Sequence, residues 1–363
     1  MIPRDAHHVF GRDERSFAAA QQFLLAAKTF WTTRMYPALR AEYDASRDSE
    51  PQTPEAVAHL LADSTLYHYF AWLERHLQKM KYSGRYGLVN WHARDRAAIE
   101  AALEADGAAA TLDSALELPR YTRGVDIHQH PGGLWSDPIA GVVYERGARS
   151  TTPLAGPRHA DLHQRFTEQV AALCQPAAIL DMGCGFGKST LPFARAFARA
   201  QVEAVDLAAP CLKLAAGMAA QADIRNVRYA QCDASATRFG EGTFDLVTST
   251  MLLHELPPPM VEKLLRESAR VLRPGGWIAH LDFLPQVQPR GDAFAHFIHC
   301  GHGRRNNEPF MAPLAKMNLQ ALLAALGFTD IQLLPFAESD GALDPAYLHW
   351  RFPWTVIRAR KGA

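Results

Sequence analysis

The segment 177-AAILDMGCGFGKST-190 carries one aspartate and three evenly spaced glycines, Asp181, Gly183, Gly185 and Gly187. Because glycine has no Cβ, such a loop lets backbone N–H groups approach the polar atoms of a ligand. A P-loop would need glycine where the chain has Met182, and a dinucleotide fingerprint would need glycine where it has Lys188. The pattern Asp-x-Gly-x-Gly-x-Gly therefore indicates a third kind of nucleotide-binding loop.

Two further acidic residues stand at the ends of the next two apolar runs. Asp206 ends the run 202-VEAVDL-207, nineteen residues after Gly187. A carboxylate at that point can accept hydrogen bonds from both hydroxyls of a ribose. Asp233 follows the run that begins at residue 227 and could accept a hydrogen bond from an adenine amino group. The loop and the two acids together predict a nucleoside site at one edge of a sheet.

The elements that position these residues follow a strand–helix alternation from residue 161 onward. The short apolar runs are 177-AAILDMG, 202-VEAVDL, 227-VRYAQCD, 244-FDLVTST and 276-GWIAHLDF, and segments of helical length separate them. Parallel strands need such crossovers, so the pattern predicts a mostly parallel sheet with helices on its faces. The last two runs, 329-TDIQLLPF and 354-WTVIRAR, lack a helix between them and suit an antiparallel edge pair. The predicted fold class is α/β, Rossmann-like.

The first third of the chain has a different pattern. Residues 1–120 repeat apolar positions at helical spacing and predict a small helical cap domain, with one helix beginning at Thr53 and Pro54. Residues 121–160 form a turn-rich connector that either carries function as a lid or contains a short hairpin such as 140-AGVVYE-145. Residues 161–363 are the predicted nucleoside-binding domain.

Four motifs occur in one order and spacing: 179-ILDMGCGFG-187, 204-AVDL-207, 232-CDASATRFGEGTFDLV-247 and 271-VLRPGG-276. Together they resemble the class I S-adenosylmethionine-dependent methyltransferases, over about residues 160–361. The resemblance implies a seven-stranded, mostly parallel sheet with an antiparallel edge strand, and S-adenosyl-L-methionine as the cofactor.

The same resemblance implies roles for individual residues. The three glycines would pass close to the methionine and ribose parts of the cofactor, Asp206 would hold the ribose, and Asp233 would face the adenine. Asp181 would shape the loop and meet the methionine amino group. The full implied cofactor set is Asp181, Gly183, Gly185, Gly187, Asp206, Leu207, Asp233, Ala234, Thr250 and Met251.

Methyl transfer from a sulfonium requires alignment of acceptor and methyl group, and a base only where the acceptor must lose a proton. His254, just after the fourth strand, is the first candidate for that base, although a histidine there could equally pack the following turn. Asp282, at the end of the fifth strand, is the second candidate. We expect Glu255 to point to solvent and His280 to lie in the core.

Histidine is plentiful, with 16 residues, but its clusters do not predict a metal site. Neither 128-HQH-130 nor the group around Cys300 supplies a clear third or fourth ligand. We expect His128, His130, Trp135 and Tyr144 to line a lid over the cofactor, with a surface connector as the alternative. Residues 304–307 could bind a polar or anionic acceptor.

Composition narrows the class of protein. Of 363 residues, 38 are Lys or Arg and 38 are Asp or Glu, so the chain lacks the basic excess of a general nucleic-acid binder. Five scattered cysteines without Cys-x-x-Cys spacing argue against a disulfide framework. Without a signal-peptide pattern or a long apolar run, we expect a soluble cytoplasmic protein.

The sequence thus predicts a methyltransferase for a small-molecule acceptor. Two alternatives stay open: a lyase or cyclase acting on S-adenosylmethionine itself, and a non-catalytic S-adenosylmethionine-binding or scaffold protein. The acceptor, the modified atom type and the oligomeric state are not encoded in these patterns.

Overall fold

The computed structural model describes residues 12–362, apart from residues 48, 52, 136, 150–159 and 345. A seven-stranded sheet of order β3-β2-β1-β4-β5-β7-β6 forms its centre. The strands are β1 (Ala178–Met182), β2 (Gln201–Asp206), β3 (Val227–Gln231), β4 (Phe244–Thr250), β5 (Leu272–Phe283), β6 (Phe328–Pro335) and β7 (Trp354–Lys361).

Strands β1 to β5 run parallel, and β7 pairs antiparallel with both β5 and β6. The predicted seven-stranded α/β fold and its antiparallel edge pair are therefore confirmed. The strand that runs against the others is β7, and it lies inside the sheet beside β5, while β6 occupies the edge. The strand order reverses between β1 and β4, which is where ligands bind in open parallel sheets.

Helices flank the sheet and build the N-terminal region. They are α1 (Arg12–Phe30), α2 (Tyr36–Ser46), α3 (Pro54–Leu60), α4 (Thr65–Tyr82), α5 (Leu88–His92), α6 (Arg96–Asp106), α7 (Ala140–Ala148), α8 (Ala160–Leu173), α9 (Thr190–Ala196), α10 (Ala209–Gln221), α11 (Pro258–Val271), α12 (Ala293–Arg305), α13 (Met311–Ala315) and α14 (Leu319–Ala325). None of the helices in this described part of the chain combines the length and apolar character needed to cross a membrane.

The alternation of strand side chains divides the core into two layers. In β1, Ile179 packs with Phe166 of α8, while the next residue, Leu180, packs in the cluster that contains Leu264 of α11. Successive residues of a strand point to opposite faces, so a continuous apolar strand is buried on both sides. This double burial fixes the strand ends, and with them the loops that follow.

The N-terminal helices share a core with the second half of the chain. Tyr43 of α2, Val57 of α3 and Phe70 of α4 pack with Phe294 of α12. The predicted helix start at Thr53 is confirmed, because its hydroxyl caps the first turn of α3. This packing holds the helical region over the carboxyl ends of the parallel strands.

The connector differs from its predicted form. The suggested hairpin at residues 140–145 is wrong, because these residues belong to helix α7. Val142 and Val143 are both buried, so the helix packs on more than one side and the strand preference of valine is overridden. Thr111, earlier in the chain, pairs with Ala230 and extends the sheet beyond β3.

Candidate functional site

A cavity of about 230 Å³ lies between the carboxyl ends of the parallel strands and the N-terminal helices. A single water molecule needs only ~15 Å³ by the same measure, so the cavity is of ligand size. The sheet side of its wall contains the predicted residues Gly183, Gly185, Asp206, Leu207, Asp233, Ala234, Thr250 and Met251. Asp206, at the end of β2, and Asp233, two residues after β3, therefore face one common space.

The glycine loop after β1 contributes two of its three glycines to the cavity. Gly185 has a φ of 52°, and a Cβ at this position would meet no atom within 4 Å, so its backbone faces open space. Gly187 does not line the cavity. A Cβ there would lie 2.9 Å from the Tyr229 hydroxyl and 3.1 Å from Cβ of Ala215. Gly187 therefore allows close packing of the loop, not ligand contact.

Asp206 holds the loop in place as well as facing the cavity. Its Oδ2 accepts a hydrogen bond from the Gly185 amide at 2.8 Å, and its Oδ1 accepts one from the Ala208 amide at 2.8 Å. Burial raises the pKa of the Asp206 carboxyl to about 6, against the lowering effect of these amides. Each oxygen keeps a lone pair for a ligand hydroxyl.

Asp233 and Thr250 add two more polar groups to the sheet side of the cavity wall, which we call the rim. Oδ1 of Asp233 accepts hydrogen bonds from the amide and the hydroxyl of Ser235, both at 2.8 Å, which fixes the carboxylate against its own turn. The hydroxyl of Thr250, at the end of β4, is buried and has no hydrogen-bond partner among the described residues. It is a polar atom in the cavity wall with capacity for a ligand.

Asp181 lies behind the loop. It is fully buried, and its Oδ2 accepts hydrogen bonds from the hydroxyls of Thr190, at 2.6 Å, and Ser189, at 3.2 Å. Burial raises the pKa of its carboxyl to about 7. Asp181 does not line the cavity and shapes the loop from behind, while its contact with a methionine amino group stays a prediction.

His254 lines the cavity and is oriented by Asp282. Asp282 accepts hydrogen bonds from His254 Nδ1 at 2.8 Å, and from the amides of Leu253 at 2.7 Å and Phe283 at 2.8 Å. Burial acts to lower the pKa of His254, but the carboxylates of Asp282, Glu255 and Glu308 outweigh it and raise that pKa. Asp282 is fully buried behind the imidazole and does not reach the cavity, which corrects its predicted direct role.

His128 bridges two carboxylates that the sequence analysis did not connect. Its Nε2 lies 3.0 Å from Glu255 and its Nδ1 lies 3.1 Å from Glu308. Burial opposes the charged form, but the two carboxylates raise the pKa of His128 to about 10, so both ring nitrogens donate. The expectation that Glu255 points to solvent is wrong, because this ion pair draws it into the cavity wall.

Of the other three predicted lid residues, two line the cavity and one is buried in the core. Tyr144 lines the cavity and stacks on His128, with ring centres 5.7 Å apart, and Trp135 also lines it. His130 does not. It is buried in an edge-to-face contact with Tyr82, 4.8 Å between ring centres, which corrects its predicted place in the lid.

Residues far apart in the sequence supply the remaining wall. Aromatic side chains form a connected row of Trp31, Trp350, Phe352 and Phe283, with successive ring centres 5.0, 4.7 and 4.7 Å apart. His254 extends the row, 4.5 Å from Phe283. These residues gave no sequence signal, because their approach depends on the packing of α12 and the N-terminal helices.

Lys188 and part of the segment 304–307 also lie in the cavity wall. Lys188 is half-buried and lines the cavity, and burial lowers its pKa to about 8. Within 304–307, Asn306 lines the cavity and Arg305 pairs with Glu74. No group of three metal-ligating side chains is found within the described part of the chain.

Comparison with known proteins identifies the domain. Residues 179–276 match the family described as a methyltransferase domain. A ubiquinone biosynthesis O-methyltransferase of Albidiferax ferrireducens is 34% identical over 159 residues, which cover 42% of this chain and 61% of that protein. Residues 179–276 are therefore identified as a methyltransferase domain.

Other methyltransferases match over a similar part of this domain. A ubiquinone/menaquinone biosynthesis C-methyltransferase of Klebsiella pneumoniae is 32% identical over 136 residues, 37% of this chain and 53% of that protein. The structure of Haemonchus contortus phosphoethanolamine N-methyltransferase 2 with S-adenosyl-L-methionine covers 55% of this chain and 52% of its own, at 18% identity and a TM-score of 0.42. The chain spans between about half and three fifths of the length of these curated relatives.

The observed cavity wall suits S-adenosylmethionine, the cofactor that the sequence motifs imply. A nucleoside with two free hydroxyls matches the two lone pairs of Asp206, and the open space beside Gly185 admits a ligand against the backbone. The free hydroxyl of Thr250 offers a further hydrogen bond.

Proposed function

We propose that this chain is a methyltransferase that uses S-adenosylmethionine to methylate a small-molecule acceptor. The proposal rests on a single cavity whose wall has a polar part and an aromatic part. The nucleoside-type rim of Gly185, Asp206 and Asp233 continues into the aromatic row that ends at His254. The aromatic row offers a surface on which a second ligand would pack beside the cofactor.

The cofactor would be held by the sheet rim. Asp206 would accept hydrogen bonds from the ribose hydroxyls, Asp233 would face the adenine beside Ala234, and Gly183 and Gly185 would follow the methionine part. Leu207, Thr250 and Met251 would close the pocket around it. Asp181 and Gly187 would act indirectly, by fixing the loop from behind.

When bound, S-adenosylmethionine supplies an electrophilic methyl group on a positively charged sulfur. The chain's own residues align the acceptor, exclude water and take up a proton. Asp282 fixes Nδ1 of His254 as a donor, which leaves Nε2 to face the cavity as an acceptor. Nε2 lies 3.9 Å from Glu308, too far for a hydrogen bond, so it is available to an acceptor's O–H.

The relatives support a small molecule but not one acceptor atom. One is named as an O-methyltransferase and another as a C-methyltransferase, both in quinone biosynthesis. Transfer to an oxygen or carbon that carries hydrogen releases a proton, so the His254–Asp282 pair would serve either case. The formal charge of zero also favours a small molecule over a nucleic acid.

The purified full chain, incubated with S-adenosylmethionine and a panel of phenolic and enolic small molecules, tests this function. We expect S-adenosylhomocysteine to accumulate only when an acceptor is present. Methylthioadenosine formed without any acceptor would instead identify a lyase or cyclase. Binding of the cofactor with no turnover on any acceptor would identify a binding protein.

A further inference from the structure

The acceptor side of the cavity contains a buried lysine whose charge the proposed reaction does not use. Lys81, near the end of α4, lines the cavity although only 1% of its surface is exposed. Its ammonium lies 4.7 Å from the ring centre of Tyr82. Among the residues that the structure describes, no Asp or Glu oxygen lies within 4.0 Å of it.

The neighbouring carboxylates already have close cationic partners. Glu74 pairs with Arg305 and His302, while Glu255 and Glu308 share the charged imidazole of His128. Among the described residues, no carboxylate on this side of the cavity is therefore left as a close counter-ion of Lys81. A buried ammonium without such a counter-ion is costly, since burial removes its hydration.

The pKa of Lys81 reflects the same imbalance. Burial lowers it well below the ordinary value, the charge of Lys28 lowers it further, and Glu308 only partly opposes them. An anionic group placed beside Lys81 would reverse this effect and restore the charged amine. This part of the wall therefore favours a ligand that places an anionic group beside Lys81.

The shape of the wall indicates what carries that anion. The aromatic row from Trp31 through Trp350 and Phe352 to Phe283 presents ring surfaces and ends at His254. Flat rings pack well in stacked or edge-to-face contact with such side chains. A planar aromatic molecule packed on this row would offer a hydroxyl to His254 and a second polar group to Lys81.

We propose that the acceptor is an aromatic hydroxy acid whose carboxylate pairs with Lys81 while its ring packs on the aromatic row. This inference rests on the proposed methyltransferase function and names the substrate class of the same site. It assigns Lys81 to acceptor recognition, distinct from the proton transfer assigned to His254.

The cavity also contains a matched lysine for comparison. Lys188 follows directly on the glycine loop and lies in the wall beside Gly185 and Ser189. A carboxylate of the cofactor's methionine part would lie nearer this loop than α4. Lys188→Met therefore removes a cavity lysine without removing the proposed acceptor contact.

Equilibrium binding to the full chain saturated with S-adenosylhomocysteine tests the proposal without requiring turnover. The probes are para-hydroxybenzoate and protocatechuate, each compared with its own methyl ester. Trp31, Trp135, Trp350 and Trp354 line the cavity, so intrinsic fluorescence reports binding. A charge-assisted hydrogen bond contributes about 1.5–3 kcal/mol, so each acid should bind roughly 10- to 150-fold more tightly than its ester.

Lys81→Met should abolish this preference for the acid, while Lys188→Met should keep it. Circular dichroism and thermal unfolding show whether each variant is folded, and calorimetric titration then measures its affinity for S-adenosylhomocysteine. If Lys81→Met does not fold, the acid–ester comparison in the wild type still tests whether the site prefers a carboxylate.

Several outcomes would overturn the inference. Esters that bind as well as the acids, no binding of either acid, or an acid preference that survives in Lys81→Met would each exclude the proposed contact. A loss of S-adenosylhomocysteine affinity in folded Lys81→Met would place Lys81 at the cofactor. A wild-type chain that binds no S-adenosylhomocysteine would instead contradict the proposed function itself.

Discussion

Nδ1 of His254 lies 2.8 Å from Oδ1 of Asp282, which follows it by 28 residues and ends the neighbouring strand β5. Two backbone amides also donate to Asp282, so this carboxylate is an acceptor at both oxygens. The imidazole must therefore donate from Nδ1, and its Nε2 is left as a base. A histidine that merely packed a turn would not need this fixed tautomer.

Removal of that base should slow the reaction without affecting the cofactor. In His254→Ala we expect kcat to fall by about 10²- to 10⁴-fold, the usual contribution of a positioned base. The affinity for S-adenosylhomocysteine, measured by calorimetry, should stay close to that of the wild type. Full activity in the variant would exclude His254 as the base.

The pH profile tests the role of Asp282 separately. The carboxylates around His254 raise its pKa above 6.5, so activity should increase as pH rises through that raised value. Asp282→Asn removes one negative charge, which should move this acidic limb to lower pH and reduce kcat. A limb at the same pH in both proteins would show that Asp282 does not act through His254.

The His128 bridge should stabilise the fold in a pH-dependent manner. Its folded pKa is raised to about 10, so its stabilisation is complete below the unfolded value of ~6.5 and is lost as pH rises through 10. His128 has a φ of 55°, which asparagine tolerates, so His128→Asn removes the imidazole with little backbone strain.

Denaturant unfolding of both proteins at several pH values measures this effect. The wild type should exceed His128→Asn in unfolding free energy by the most near ~pH 6, and the gap should narrow toward ~pH 10. A difference in unfolding free energy that stays constant over this pH range would show that His128 does not form a charged ion pair in the folded protein.

Replacement of Gly185 or of Gly187 by alanine should affect the protein in different ways. Both have positive φ, so alanine is strained at either position, but only Gly187 would also press its Cβ against Tyr229 and Ala215. We expect Gly187→Ala to lower the melting temperature more, and Gly185→Ala to lose more S-adenosylhomocysteine affinity. Equal effects on both properties would contradict the assignment of Gly185 to the ligand and Gly187 to packing.

The sheet and its cofactor rim could be predicted because the relevant signals are local. Asp206 and Asp233 each stand at or just after the end of an apolar run, and parallel strands bring their carboxyl ends to one edge by geometry alone. The error at residues 140–145 was also local in origin. Consecutive valines favour a strand, but burial on several sides of α7 outweighs that preference.

The acceptor side could not be predicted in the same way. His128 is separated by 127 residues from Glu255 and by 180 residues from Glu308, so no spacing rule connects them. The aromatic row likewise joins residue 31 to residues 350 and 352. Such contacts arise only when the N-terminal helices and α12 pack together, a tertiary event without a short motif.

Calorimetric titration of S-adenosylhomocysteine into the wild type and into Asp206→Ala and Asp206→Asn tests the central claim most directly. We expect one site per chain, with affinity reduced roughly 10- to 150-fold in both variants by the loss of charge-assisted hydrogen bonds to the ribose. Asp206→Asn can still accept from the Gly185 amide or the Ala208 amide, so it separates ligand contact from loop support. Unchanged affinity in both folded variants would contradict the account.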